Sequence, residues 1–329
     1  ITGVTKFSQL GIFSNLNQLM DISMAPDYAT ICGMTKAEIE RDFQPELAAL
    51  ATMNKLTYEQ TVNEMTKRYD GYHFSEFLSD GIYNPFSVLN ALVQKRFSSY
   101  WFATGTPTML VDMLKKTDYD LRQLDGIEVP AAALIDYRAD FHNPVPIIYQ
   151  SGYLTIKGYD PAKDFYTLNF PNAEVKYGWL NFITPYYTPL SESTAPFYIG
   201  KFWDELRASD VDAFMERLHA FFEGIPYELN NKTERHYQVI FYIVFKLLGQ
   251  YVDAEVRSAR GRADAVVKTT DYIYVFEFKL DGSVDEALRQ IDEKGYLIPY
   301  TVDSRQLVKV GASFDKEKRN IGEWKAIFC

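Results

Sequence analysis

A nine-residue run near the end of the chain carries the side chains best suited to chemistry. In Tyr272 to Leu280 the side-chain period of a strand puts Ile273, Val275, Glu277 and Lys279 on one face. Tyr272, Tyr274, Phe276, Phe278 and Leu280 take the other. A carboxylate and an ammonium thus share a face with two aliphatic side chains, in a run apolar enough to be central in a sheet. Unpartnered charge there is costly. Ala263 to Lys268 reads as the other arm of a hairpin, and a two-residue connection at Thr270-Asp271 places Asp264 opposite Glu277, with β-carbons about 5 Å apart. The connection is not the favoured Asn-Gly, which leaves registers one or two residues away open. Two facing carboxylates repel, and a divalent cation between them converts repulsion into attraction. Oxygen donors with no nearby cysteine or histidine pair favour Mg²⁺ or Mn²⁺ over Zn²⁺. Lys279 can then polarise a water or stabilise charge developing on a phosphorane-like transition state. Two acids and a lysine at one metal make a phosphodiester-cleaving arrangement. The plainer alternative is a solvated edge strand with an ion pair worth under about 1 kcal/mol.

The elements that must position these residues are legible in outline. The N-terminal part reads as mostly helical. Thr35-Lys36-Ala37-Glu38 and Thr57-Tyr58-Glu59-Gln60 are capping boxes, and Asn84-Pro85 and Thr106-Pro107 put a capping side chain before a first-turn proline. Pro146 to Gln150 and Leu154 to Ile156 read as short strands broken by Gly152 and Gly158. Thr188 to Pro196 is polar and proline-bracketed, a linker pattern that predicts domains at 1–190 and 191–329. Beyond it, Ser209 and Asp212 open a helix with a Phe214, Leu218 and Phe221 stripe. Thr233 caps a second, carrying Tyr237, Phe241, Val244 and Leu248 and ending at Gly249. The period then shifts to two at Val252, Ala254 and Val256, with a turn at Ser258 to Gly261. Ser283-Val284-Asp285-Glu286 caps a helix running toward Tyr296, and Leu307 to Phe314 and Glu323 to Phe328 close the plan as strands. Helix, three strands, helix, strand is a mixed α/β order. Arg257, Arg260 and Arg262 flank the turn before Asp264, where they either hold phosphates beside the metal or solvate a loop.

This set resembles the PD-(D/E)XK nuclease superfamily. The resemblance implies that Asp264 and Glu277 are metal ligands, that the Phe278 carbonyl completes the coordination, and that Lys279 orients or activates the attacking water. It further implies catalytic positions for Glu234, on the first core helix, and Gln290, on the helix after the core strand. Ala263 stands where the motif has proline. An acid in a first helical turn also simply favours the helix dipole, and Gln290 also reads as an ordinary helix residue. Gly261 to Asp264, Val275 to Lys279 and Gln290-Ile291 together are similar to a bacterial subfamily in which such a domain follows an AAA-ATPase-like domain. Ile1 to Val4, Ile12 to Asn17 and Tyr83 to Ser87 look like the downstream portion of that partner. The implied architecture is a mostly helical, truncated AAA-ATPase-like part followed by a restriction-endonuclease-like α/β core with a central mixed sheet. Nucleic acid, DNA ahead of RNA, is the implied partner, with self-association through the ATPase-like part. The alternative is a catalytically weak or inactive module that binds nucleic acid or protein and regulates.

Composition sets limits. No G-x-x-x-x-G-K-[ST] occurs in the 329 residues, so ATP binding is expected only if a phosphate-binding loop lies upstream. Thr2 would be a polar sensor in such an intact protein, or an ordinary strand residue. The start lacks Met and the basic-then-apolar pattern of a signal peptide, and reads like the middle of a longer chain. No apolar run is long enough to span a membrane. Two cysteines, Cys32 and Cys329, exclude a disulfide scaffold and a Cys-rich zinc site, and predict a cytoplasmic setting. A net charge of −10 argues against coating nucleic acid by bulk phosphate neutralisation, so any contact is local. The four histidines form no H-E-x-x-H, and no G-x-S-x-G supports covalent hydrolase chemistry.

Overall fold

Most helix starts follow their caps. The Thr35 side chain accepts the Glu38 N–H and Glu38 accepts the Thr35 N–H, so α1 (Lys36–Asp42) begins on a complete capping box. After α2 (Gln44–Asn54), Thr57 and Gln60 repeat that box for α3 (Tyr58–Tyr69). Asn84 accepts the Phe86 N–H to cap α4 (Pro85–Gln94). Leu47, Leu50, Met65, Tyr69 and Val88 bury the facing sides of α2, α3 and α4. The computed structural model describes residues 22–77, 80–101, 108–116, 119–135, 143–188, 190–191, 193–224, 234–251, 253–256, 263–280, 282–315, 317–318 and 320–329. Thr106, Thr233, the turn at Ser258 to Gly261, and the segments Ile1 to Val4 (with Thr2) and Ile12 to Asn17 lie outside the described residues.

Contacts divide the chain into two units, Ile1–Trp179 and Leu180–Cys329. The first unit continues through α5 (Thr108–Lys116), β1 (Ile127–Pro130), α6 (Ala131–Ile135), α7 (Val145–Gln150), β2 (Thr155–Asp160), β3 (Phe165–Asn169) and α8 (Ala173–Tyr187), in which the division falls. The three strands form an antiparallel sheet in the order β1-β3-β2. Pro146 to Gln150, expected as a strand, is instead the helix α7. Asn143 Oδ1 accepts the Val145 N–H, Pro146 occupies the first turn, and Gly152 leaves the helix with φ 81°. A five-residue apolar run does not by itself separate a strand from a buried helical turn.

The second unit begins with α9 (Ala195–Arg207) and α10 (Val211–Glu223), followed by α11 (Glu234–Leu248). α9 starts without a side-chain cap that would mark it in the sequence, and Ala195, Ile199, Phe202 and Leu206 are buried on one side of it. Before α9, Thr188 and Leu190 are buried, while Ser191, Ser193 and Thr194 are exposed. Neither Ser209 nor Asp212 caps α10. Asp210 does, accepting the Ala213 N–H at 3.0 Å, while Ser209 takes a left-handed φ of 60° and Asp212 accepts the Trp324 indole N–H. Three capping residues within four positions look alike until backbone geometry selects one.

Five strands complete this unit: β4 (Asp253–Val256), β5 (Ala265–Lys268), β6 (Tyr272–Leu280), β7 (Gln306–Asp315) and β8 (Asn320–Phe328), with α12 (Val284–Glu293) between β6 and β7. They lie in that order in one sheet, antiparallel except for the parallel pair β6–β7. The sheet is therefore mixed. Aromatic side chains fill one face: Phe276 packs on Phe214 of α10 and Phe245 of α11, and Phe278 on Phe241. Aliphatic side chains fill the other, where Ile273 and Val275 meet Leu288 and Ile291 of α12. The result is an α/β/α sandwich in which β6 is buried from both sides. Among the described residues, no helix is long and apolar enough to cross a membrane.

Candidate active site

The hairpin settles where Asp264 stands. β5 pairs with β6 from Ala265 opposite Phe276 to Lys268 opposite Ile273, and the Thr269 N–H donates to the Tyr272 carbonyl at 2.8 Å. The connection is thus Thr270-Asp271. The Thr269 hydroxyl accepts the Tyr272 N–H at 3.0 Å, reinforcing a turn that lacks the usual Asn-Gly. Carried one step past the ladder, this register puts Asp264 across from Glu277. There the Asp264 carboxylate accepts the Phe278 N–H at 2.8 Å. In a strand the N–H and C=O of one residue point the same way, so the Phe278 carbonyl also faces the Asp264 side.

Glu277 is the most constrained polar side chain of the site, with only 3% of its surface exposed. Its Oε1 accepts from Lys279 Nζ at 3.1 Å and from Gln290 Nε2. Its Oε2 is buried and has no hydrogen-bond partner among the described residues. Burial, and then the neighbouring negative charge of Asp264, push the Glu277 carboxyl up to about 7, against the opposing pull of Lys279 and, more weakly, of the nearby Asp264 backbone N–H. Such displacement marks functional sites more often than structural ones, because an apolar side chain would fill the same space without penalty.

Gln290 arrives from α12. Ser283 and Glu286 form the expected capping box, and Ala287, Leu288 and Ile291 face the sheet. Close approach of α12 requires Gly311, which pairs with Glu277 across β6–β7. A β-carbon there would lie 2.8 Å from Leu288 Cγ and 2.9 Å from the Val284 carbonyl oxygen. With the helix seated, the Gln290 amide bridges the two charges: Oε1 accepts from Lys279 Nζ while Nε2 donates to Glu277. Nε2 also donates to the Tyr296 hydroxyl at 3.3 Å. In the sequence Tyr296 reads only as the end of this helix; the Gly295-Tyr296 pair closing an amphipathic helix is the available signal for its place in the site.

Asp264, Glu277, Lys279 and Gln290 therefore converge at one end of the hairpin. Glu234 opens α11, and its side chain lies outside the described residues, as do Arg257, Arg260 and Arg262. Among the described residues no group of three or more His, Cys, Asp or Glu side chains stands ready for a metal. The donor set of Asp264, Glu277 and the Phe278 carbonyl nonetheless fits a hard divalent cation. It is all oxygen, and a cation would satisfy the orphaned Glu277 Oε2 and offset the repulsion from Asp264.

Known proteins bear on this geometry. The family described as the PD-(D/E)XK nuclease superfamily matches residues 232–324, which include α11, the hairpin, α12, β7 and most of the described part of β8. The chain is also 32% identical over 330 residues to a protein of Azotobacter chroococcum mcd 1 described as "Uncharacterized protein in vnfD 5'region". That alignment covers 98% of this chain and 61% of the relative's length, so the chain spans about three fifths of the curated protein it matches. No solved structure matches the chain.

Proposed function

We propose that the second unit is a metal-dependent nuclease that hydrolyses phosphodiester bonds in nucleic acid, DNA ahead of RNA. The observation that carries this reading is Glu277 Oε2: a buried carboxylate oxygen without a hydrogen-bond partner among the described residues, facing Asp264 and flanked by Lys279, within the superfamily match. Asp264, Glu277 and the Phe278 carbonyl would hold Mg²⁺ or Mn²⁺. When bound, the cation supplies Lewis-acid polarisation of the phosphate and acidifies water. Lys279 orients the attacking water and balances negative charge at phosphorus, held in place by Glu277 Oε1 and Gln290 Oε1. Hydrolysis forms one phosphorus–oxygen bond to water as the bridging bond breaks, leaving a phosphate monoester and a hydroxyl. Glu234 serves as a further acid, and Arg257, Arg260 and Arg262 receive backbone phosphates.

The wider reading has domains at 1–190 and 191–329, the first an AAA-ATPase-like part that regulates the second and mediates self-association. Its support is the resemblance at Tyr83 to Ser87 and the greater length of the relative. ATP would enter through an upstream phosphate-binding loop.

Plasmid nicking in Mg²⁺ or Mn²⁺ tests the enzymatic claim, with Asp264→Ala and Lys279→Ala as comparisons. Each should cut the rate by about 100-fold or more. Equal nicking by all three proteins would overturn the assignment. Tight nucleic-acid binding with no cleavage by any of them would favour the regulatory binding module.

A further inference from the structure

The end of α12 is built to deliver one hydroxyl to the centre. The helix closes at Lys294, after which Gly295 takes a left-handed φ of 64°. The Gly295 N–H donates to the Asp292 carbonyl and the Tyr296 N–H to the Ile291 carbonyl, the paired bonds of a Schellman motif. That motif folds the residue after the glycine back onto its own helix, and Tyr296 packs with Ile291 in the aliphatic cluster under α12. Only 8% of Tyr296 is exposed. Its hydroxyl meets Gln290 Nε2 at 3.3 Å. Burial raises its pKa above the usual phenol value against the opposing Gln290 hydrogen bond, with smaller contributions from the charges of Glu277 and Asp264.

Both N–H protons of the Gln290 amide are then used. Lys279, a donor only, faces Oε1, and the ionised Glu277 carboxylate, an acceptor only, faces Nε2. Nε2 carries a second proton, and Tyr296 takes it. Without that acceptor the amide is tethered only through the two charged groups it is meant to position. Whatever draws on Glu277 or Lys279 would also release Gln290.

We propose that Tyr296 is a positioning residue, anchoring the Gln290 amide so that one end holds Lys279 and the other holds Glu277. The role in metal binding rests on the nuclease reading above; the anchoring of the amide does not. Tyr296→Phe keeps the ring and removes the hydroxyl. Mn²⁺ binding, followed by paramagnetic resonance of the free ion, should weaken about 10-fold in Tyr296→Phe, as expected for loss of an outer partner. In a Gln290→Ala background the same change should alter binding less than about twofold, since the residue it acts through is gone. Equal weakening in both backgrounds would mean a packing role and overturn the proposal.

The amide itself is read separately by nuclear magnetic resonance of the metal-free chain, with the Gln290 side-chain signals assigned from their loss in Gln290→Ala. Those protons should exchange slowly in the parent and faster in Tyr296→Phe. Unchanged exchange overturns the proposal. Failure of the parent to bind Mn²⁺ overturns the metal-dependent reading, and the exchange measurement then decides the anchoring alone.

Discussion

Replacing Glu277 by glutamine should flatten a pH dependence that the buried carboxylate imposes on stability. Burial and Asp264 raise this group from the usual 4.5 to about 7 in the folded chain. A carboxyl with a raised folded pKa binds its proton more tightly when folded. Well below about pH 4.5 the group is protonated in both states and imposes no cost; at about pH 4.5, where the unfolded group is half ionised, the cost is still small. As pH climbs toward 7 the unfolded chain releases the proton first, and stability is lost; above 7 the full penalty applies. The displacement corresponds to about 3 kcal/mol. Glutamine has no such titration, and any offset from its own hydrogen bonds is independent of pH. In urea titrations with EDTA, the unfolding free energy of Glu277→Gln minus that of the parent should therefore rise by about 3 kcal/mol between about pH 4.5 and pH 8. A difference that stays level over that range would refute the reasoning. It would mean that Glu277 is effectively solvated and no longer a reason to place a cation there. With excess Mg²⁺ the parent's trend should reverse, because ligation requires the deprotonated carboxylate.

Two further outcomes follow from the packing and from the sequence. Gly311→Ala should cost about 1–3 kcal/mol by thermal denaturation, because the new methyl meets Leu288 and the Val284 carbonyl at under 3 Å. It should also slow nicking by lifting Gln290 from Glu277, and unchanged stability would show that α12 moves freely over β7. Isothermal calorimetry of this chain with ATP and Mg²⁺ should give no micromolar binding, since the sequence holds no phosphate-binding loop. A saturable micromolar isotherm would contradict that.

Much of the hairpin was legible from residue order alone. Strand alternation put Glu277 and Lys279 on one face, and a two-residue turn put Asp264 across from Glu277, because both are consequences of a period of two. Capping boxes at Thr35, Thr57 and Ser283 were equally readable, since each is a contact between residues three apart. Local ambiguity defeated the reading where several residues competed or the run was short, as at Asp210 and α7. Long-range consequences were invisible. That Glu277 would be sealed from water depends on α12 closing over β7, which Gly311 permits thirty-four residues away in the chain. That Tyr296 would meet Gln290 depends on a left-handed glycine turning the backbone. Periodicity and caps are nearest-neighbour properties and can be read along the chain; burial and the sharing of an amide among three partners arise only when distant segments pack together.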